Sequence, residues 1–149
     1  MEEKIRGFQK WYSFLSNFYR CEVIVEGVKY PSSEHAFQAM KFITTDEKIA
    51  ERIRLCEKPS DAKQLAAEFK KVVRKDWRDV SLLVMEKVVT AKFSQNPDLL
   101  DKLLDTGGVE LIEDNWWGDT FWGVCKGVGE NNLGKILMKV RDKCKQSRK

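Results

Sequence analysis

Histidine is nearly missing from this chain: His35 stands alone among 149 residues. The four cysteines, Cys21, Cys56, Cys125 and Cys144, are scattered, and none forms a CxxC pair. One His with dispersed Cys cannot assemble a usual zinc set, so a metal centre is not expected. The same scatter gives no disulfide framework and points to free thiols. No apolar run approaches the ~20 residues of a membrane span, and the opening MEEKIRGFQKW has no signal-peptide core. A cytoplasmic protein with no membrane partner is therefore the expectation. Proline occurs three times only, and no repeat, low-complexity tract or linker interrupts the chain. Residues 1–149 thus read as a single domain, long enough to bury a core. Neither charge sign dominates: 27 basic residues face 23 acidic ones, for a formal +4. That balance suits small anions or weak nucleic-acid contact. Lys139, Arg141, Lys143, Lys145, Arg148 and Lys149 supply much of the excess, as a solvated helix end complementing the negative helix terminus.

What is present divides cleanly. Residues 8–19, FQKWYSFLSNFY, are aromatic-dense and aperiodic, which predicts an irregular or short-helical opening. EVIVEGVKY predicts a β-hairpin turning at Glu26-Gly27. Pro31 with Ser32 and Ser33 ends it and caps a helix over about 33–43. Thr44 and Glu47 have capping-box spacing for a helix over about 45–56, and Pro59-Ser60 opens a third. Residues 76–94 predict the longest helix. Trp77, Val80, Val84, Val88 and Ala91 form its stripe, widened by Leu82, Leu83, Met85 and Val89. Asn96-Pro97 starts a short helix to about Leu104. VELIE, 109–113, predicts a strand able to join the hairpin, and Asn131 or Asn132 caps a last helix. The sum is an α+β, mainly helical domain with a small hairpin-based sheet.

Chemistry concentrates in PSSEHAFQAMK. At 100° per residue, Glu34, Gln38 and Lys41 fall within about 60° of one another. Ala36, Ala39, Met40 and Ile43 occupy the opposite arc as a packing face. The loop NWWGDTFWGVCKGVGEN holds three of the five Trp and four of the nine Gly, more than a connector needs. Within it, Asp119 precedes Trp122 by three residues, an acid beside an indole that can stack a planar base. Gly127 to Asn132 leads to a helix start whose N–H groups can hold phosphate.

The motifs FLSNFY, YPSSEHAFQAMKF, RKDW, AKF, DTFWG and NNLGKILMKVR, in that order over nearly the whole chain, resemble the NADAR family, the YbiA-like N-glycosidases. The resemblance implies a compact, mainly helical fold, no metal requirement and no cofactor. It implies hydrolysis of N-glycosidic bonds in phosphoribosylamino-pyrimidine intermediates of riboflavin synthesis or, in other branches, removal of ADP-ribose from guanine in nucleic acid. Glu34 and Lys41 match the family acid and lysine, Asp119 and Trp122 the D-x-x-W-G pair, and Asn131 and Gly134 the N-x-L-G element. The approach CKGVGEN departs from the Lys-rich family pattern, leaving Lys126 as its one cation.

Breaking an N-glycosidic bond develops positive charge on ribose and negative charge on the base. Glu34 and Asp119 are assigned as the acid/base and oxocarbenium-stabilising carboxylates, in either order. Lys41 either contacts sugar or phosphate or attacks the anomeric carbon as a neutral amine. Trp122, Gln38, Asn131, Phe18, Tyr19, Lys126 and Gly123 are the substrate-binding candidates. His35 reads as a packing residue, Trp116, Trp117 and Phe121 as core, and Arg74 as the partner of a ligand or protein anion. The rivals are a non-catalytic ADP-ribose or nucleotide-binding module and a nucleic-acid adaptor using the basic C-terminal helix. Nothing in the sequence selects an oligomeric state.

Overall fold

Local signals place most of the elements. In a computed structural model describing residues 4–148, the order is β1 (Lys4–Arg6), a 3-10 helix (Lys10–Leu15), β2 (Arg20–Val25), β3 (Val28–Ser32), α1 (Ser33–Met40), α2 (Glu47–Arg54) and α3 (Pro59–Glu68). There follow a 3-10 turn (Lys70–Val72), α4 (Trp77–Gln95), α5 (Pro97–Asp105), β4 (Glu110–Ile112), β5 (Asp114–Asn115), β6 (Val124–Cys125) and α6 (Asn132–Ser147). The fold is α+β and mainly helical, as expected. Pro59 and Pro97 take the first turn of α3 and α5, where the missing N–H has no helical partner to lose. Contacts divide the chain into two compact units: Asn17–Gln95, and the residues up to Ser16 together with those from Asn96 on.

In the Asn17–Gln95 unit, Glu26 and Gly27 both have positive φ, 52° and 79°. That is the turn that matches the twist of two antiparallel strands, and it joins β2 to β3 with Val23 opposite Tyr30. Behind the hairpin, Val23, Val25 and Tyr30 share a core with Ala36, Ala39, Met40, Ile49, Ile53, Ala62 and Val88. At the centre lies α1, and all eight of its residues are buried. The expected polar face is therefore enclosed rather than open, and Glu34, His35 and Gln38 must find partners inside. Ile43 lies beyond the helix, which ends at Met40.

One further expectation fails here and another holds in part. The side chain of Asp46, not Thr44, caps α2, accepting from the N–H groups of Lys48 and Ile49. On α4 the buried side is Ser81, Met85, Val88, Val89, Lys92 and Phe93, whereas Leu82 and Leu83 are exposed. Met85, Val88 and Val89 of the expected stripe are buried and Trp77, Val84 and Ala91 pack against the core, so the stripe holds except at Leu82 and Leu83, while the amine of Lys92 takes a deep position that hydrophobicity did not assign to it.

In the other unit, β4 does not join the hairpin; it pairs in parallel with β1, Ile5 opposite Leu111. The strand KIR carried too short a pattern to announce this partner. Leu111, Leu133, Leu137 and Val140 are buried where α6 packs on β4. The basic end of α6 is not wholly solvated either. Arg141, 3% exposed, donates to Thr106 Oγ1 and the Val109 carbonyl, and Lys145 donates to the Gly107 carbonyl. These cations close the C-terminal end of α5, so they do not form the broad basic surface that a nucleic-acid adaptor needs.

Candidate active site

The polar side of α1 is built from its N-terminus. Ser32 caps the helix: its Oγ accepts from the His35 N–H at 3.1 Å. The same hydroxyl lies 2.6 Å from His35 Nδ1, while Nε2 lies 2.9 Å from the Cys56 carbonyl. Since a carbonyl only accepts, Nε2 carries the proton and Nδ1 accepts from Ser32. Burial pushes the His35 pKa down, keeping the ring neutral. His35 is thus the packing residue expected.

One residue on, the N–H of Glu34 donates to the Asn17 carbonyl at 3.0 Å. Ser33 Oγ donates to the Asn17 side-chain oxygen at 2.9 Å. These bonds fasten the SNFY segment to the start of α1. Phe18, exposed, and Tyr19, half-buried, follow directly from it. Glu34 is 7% exposed, and its Oε2 accepts from Gln38 Nε2 at 2.6 Å. This fixes the amide orientation, because the reverse would set two acceptors face to face. Gln38 Oε1 is then buried without a hydrogen-bond partner, an acceptor held ready for a donor group.

Lys41, at the C-terminal end of α1, has its ammonium 5.8 Å from the Phe37 ring centroid and 5.7 Å from that of Trp77. Burial drives its pKa below the ordinary lysine value; the Glu34 charge opposes this, and Lys63 adds to it. The RKDW motif explains the aromatic wall. Arg74 donates through Nε and Nη2 to both carboxylate oxygens of Asp76, at 2.6 and 2.9 Å. The Arg74 N–H also donates to the Lys41 carbonyl at 2.9 Å. Arg74 thus pairs with a protein anion. The turn it holds sets Trp77 against Phe37, centroids 5.1 Å apart. Sequence reading placed Trp77 on a core stripe and missed its contact with the lysine; the RKDW motif was the available signal. Lys92, in AKF, was also missed. It is fully buried with its ammonium 5.7 Å from the Tyr19 ring centroid, and desolvation pulls its pKa down to about 8.

The Trp-Gly loop and the start of α6 belong to the other unit. Asp119 shapes the loop through one oxygen: Oδ1 accepts from the N–H groups of Phe121 at 3.1 Å and Trp122 at 2.9 Å. Asn115 completes the clasp, accepting from the Asp119 N–H and donating to its carbonyl. The Asp-x-x-Trp spacing therefore orients Trp122, which is half-buried and edge-on to Phe121 at 4.8 Å. Trp116, Trp117 and Phe121 are exposed, not core as expected. Gly123 is needed for packing: a Cβ there would collide with the Glu113 carbonyl and the Asn115 amide. Lys126, exposed, takes φ 52° in a tight turn with Gly127.

The α6 start has few N–H groups left to offer a phosphate. Three are already bonded: Asn131 to Gly123 O, Asn132 to Phe121 O and Leu133 to Trp122 O, at 3.0–3.2 Å. Nor does the Asn131 side chain cap the helix. It bridges to β4, accepting from the Glu113 N–H and donating to the Leu111 carbonyl, both at 2.9 Å. Gly134 permits this approach, since a Cβ there would strike the Leu111 carbonyl and both ends of the Asn131 amide. The N-x-L-G element is a packing joint.

A mainly helical α+β chain with a buried Glu–Gln pair and a desolvated lysine at the end of the same helix defines a class built around one polar helix. The NADAR domain model matches residues 5–145. The chain is 41% identical over 136 residues to a riboflavin biosynthesis protein of Vibrio vulnificus, covering 91% of this chain but 36% of that protein. It is 39% identical over 135 residues to N-glycosidase YbiA of Escherichia coli, covering 88% of this chain and 81% of that one. The NMR structure of E. coli YbiA superposes with a TM-score of 0.88 at 36% identity, over 99% of this chain and 89% of YbiA. This chain belongs to the NADAR family. Among the described residues no helix is long and apolar enough to cross a membrane.

Proposed function

We propose that this chain is an N-glycosidase, hydrolysing the bond between ribose and the amino nitrogen of phosphoribosylamino-pyrimidine intermediates of riboflavin synthesis. The observation that carries this reading is the buried Glu34 carboxylate, held by Gln38 on the helix that ends at the desolvated Lys41. Relatives named for N-glycosidase activity and riboflavin biosynthesis support it. The whole reading is cofactor-independent and cytoplasmic, with 1–149 acting as one domain, as a family match running over 5–145 supports.

In this mechanism Glu34 activates water and stabilises the oxocarbenium character of the ribose. The water oxygen bonds to the anomeric carbon. The C–N bond breaks with its electron pair going to the base nitrogen. The proton lost by water passes to Glu34 and from it to solvent, while a solvent water protonates the departing nitrogen, so the protons balance. Gln38 Oε1 accepts from a ribose hydroxyl, satisfying its buried lone pairs. The Lys41 ammonium binds the phosphate or sugar, with Phe18 and Tyr19 near the base. In the other unit Trp122 offers an indole suited to a planar base, with Asp119 as its positioning residue. Asn131 and Gly123 are assigned to structure, and Lys126 to peripheral anion contact.

The test is metal-free incubation with a phosphoribosylaminouracil intermediate and, separately, with DNA carrying ADP-ribosyl guanine. Release of free base from the first is expected, and Glu34→Gln removes it with the fold retained. Turnover of the DNA substrate alone would select the ADP-ribosyl branch. Turnover of neither, with tight ADP-ribose binding, would make the chain a binding module.

A further inference from the structure

The residues up to Ser16 and from Asn96 on form a unit with a groove of about 680 Å³, lined by residues of that unit. Lys4, Arg6, Trp11, Tyr12, Lys102 and Asp105 are among its lining residues. We propose that this groove binds single-stranded nucleic acid, a base stacking on Trp11 and adjacent phosphates lying on Lys4 and Arg6.

The argument starts from strand geometry. Lys4 and Arg6 sit two apart on β1 around buried Ile5, so both project to the exposed side. Their spacing, about 6.6 Å, is comparable to that of successive phosphates along an extended strand. Trp11 is 74% exposed, so its indole face is open to a planar ligand. The Lys102 ammonium lies 5.5 Å from its ring centroid and 5.8 Å from that of Phe14, which braces the indole and adds positive charge beside it. Three cations thus face one lining carboxylate, Asp105. Glu110 contacts Lys4 at 3.9 Å, an exposed pair too weak to hold the lysine from a phosphate. Cations beside an open aromatic platform are the chemistry of sequence-tolerant strand binding. The groove is open, and its buried polar lining residue Thr106 is already committed to the Leu103 carbonyl and to Arg141, which favours a polymer held by repeated weak contacts over one enclosed nucleotide.

The experiment is fluorescence anisotropy of a labelled 15-nucleotide single strand with the full chain, at low and at physiological salt. Saturable binding that weakens as salt rises is expected. Trp11→Ala should weaken it about 5- to 150-fold, the range for losing one base stack. Lys4→Glu with Arg6→Glu should weaken it and flatten the salt dependence. Turnover of the small phosphoribosyl substrate by Trp11→Ala should be unchanged, which separates this proposal from the glycosidase reading. No strand binding would overturn the proposal, as would binding indifferent to Trp11, Lys4 and Arg6. A mononucleotide, duplex or polyglutamate binding as tightly as the strand would overturn it too, as would loss of small-substrate turnover in Trp11→Ala.

Discussion

Replacing Asn131 by Ala separates a ligand contact from a structural joint. In the folded chain its Oδ1 takes the Glu113 N–H and its Nδ2 gives to the Leu111 carbonyl, and the residue is 8% exposed. The substitution leaves one donor and one acceptor of the backbone without their partner in a site too tight for water to enter freely. Each such loss costs about 1–2 kcal/mol, so a total of about 2–4 kcal/mol is expected. Asn131 also has φ 54°, a conformation Asn tolerates better than Ala, which adds in the same direction. Against a typical stability of about 5–15 kcal/mol this is a large fraction, equivalent to a Tm lower by about 6–12 °C. Urea unfolding followed by circular dichroism measures it, with an unchanged slope expected because the same surface is exposed. Asn131→Asp should also destabilise, since an oxygen would then face the Leu111 carbonyl. At a temperature where the variant stays folded, KM should stay near the wild-type value. Wild-type stability together with a raised KM would refute the joint and restore the phosphate contact.

The remaining expectations concern the α1 residues, the loop and the buried lysine. Lys41→Met should raise KM yet leave single-turnover cleavage at saturating substrate; complete loss of that cleavage would assign Lys41 as the amine nucleophile. Because burial lowers the Lys41 pKa, its charge is lost below the ordinary lysine value, so KM should climb with pH earlier than an exposed lysine would cause. Trp122→Ala should weaken substrate binding by about 1–3 kcal/mol, and Asp119→Ala should mimic much of it by releasing the Phe121 and Trp122 N–H groups; an Asp119 variant with normal KM but abolished kcat would return that carboxylate to the chemistry. Lys92 has a folded pKa near 8 against 10.5 ordinarily. Between these values the unfolded chain binds more protons, so this residue's contribution to stability rises with pH across that window. Comparing urea midpoints of the wild type and Lys92→Met at pH 7.5 and 10 isolates it from the opposing rise of the Cys21 pKa on burial; parallel curves would show that Lys92 is not desolvated.

What the sequence determined by itself was local. The hairpin turn, the proline-led helix starts and the single polar helix are written in backbone preferences that act over a few residues. Glu34, Gln38 and Lys41 were legible for the same reason: helical spacing fixed their common side. Tertiary structure alone set the edges of the buried side of α4, taking in Lys92 and leaving Leu82 and Leu83 exposed. It alone paired β4 with β1, since three-residue strands carry too little pattern to name a distant partner. And it alone turned Asn131 from a helix cap into a bridge to β4 and spent three N–H groups of the α6 start on loop carbonyls. Which acceptor reaches a donor is settled by how the chain packs at long range, and no spacing along the sequence encodes that.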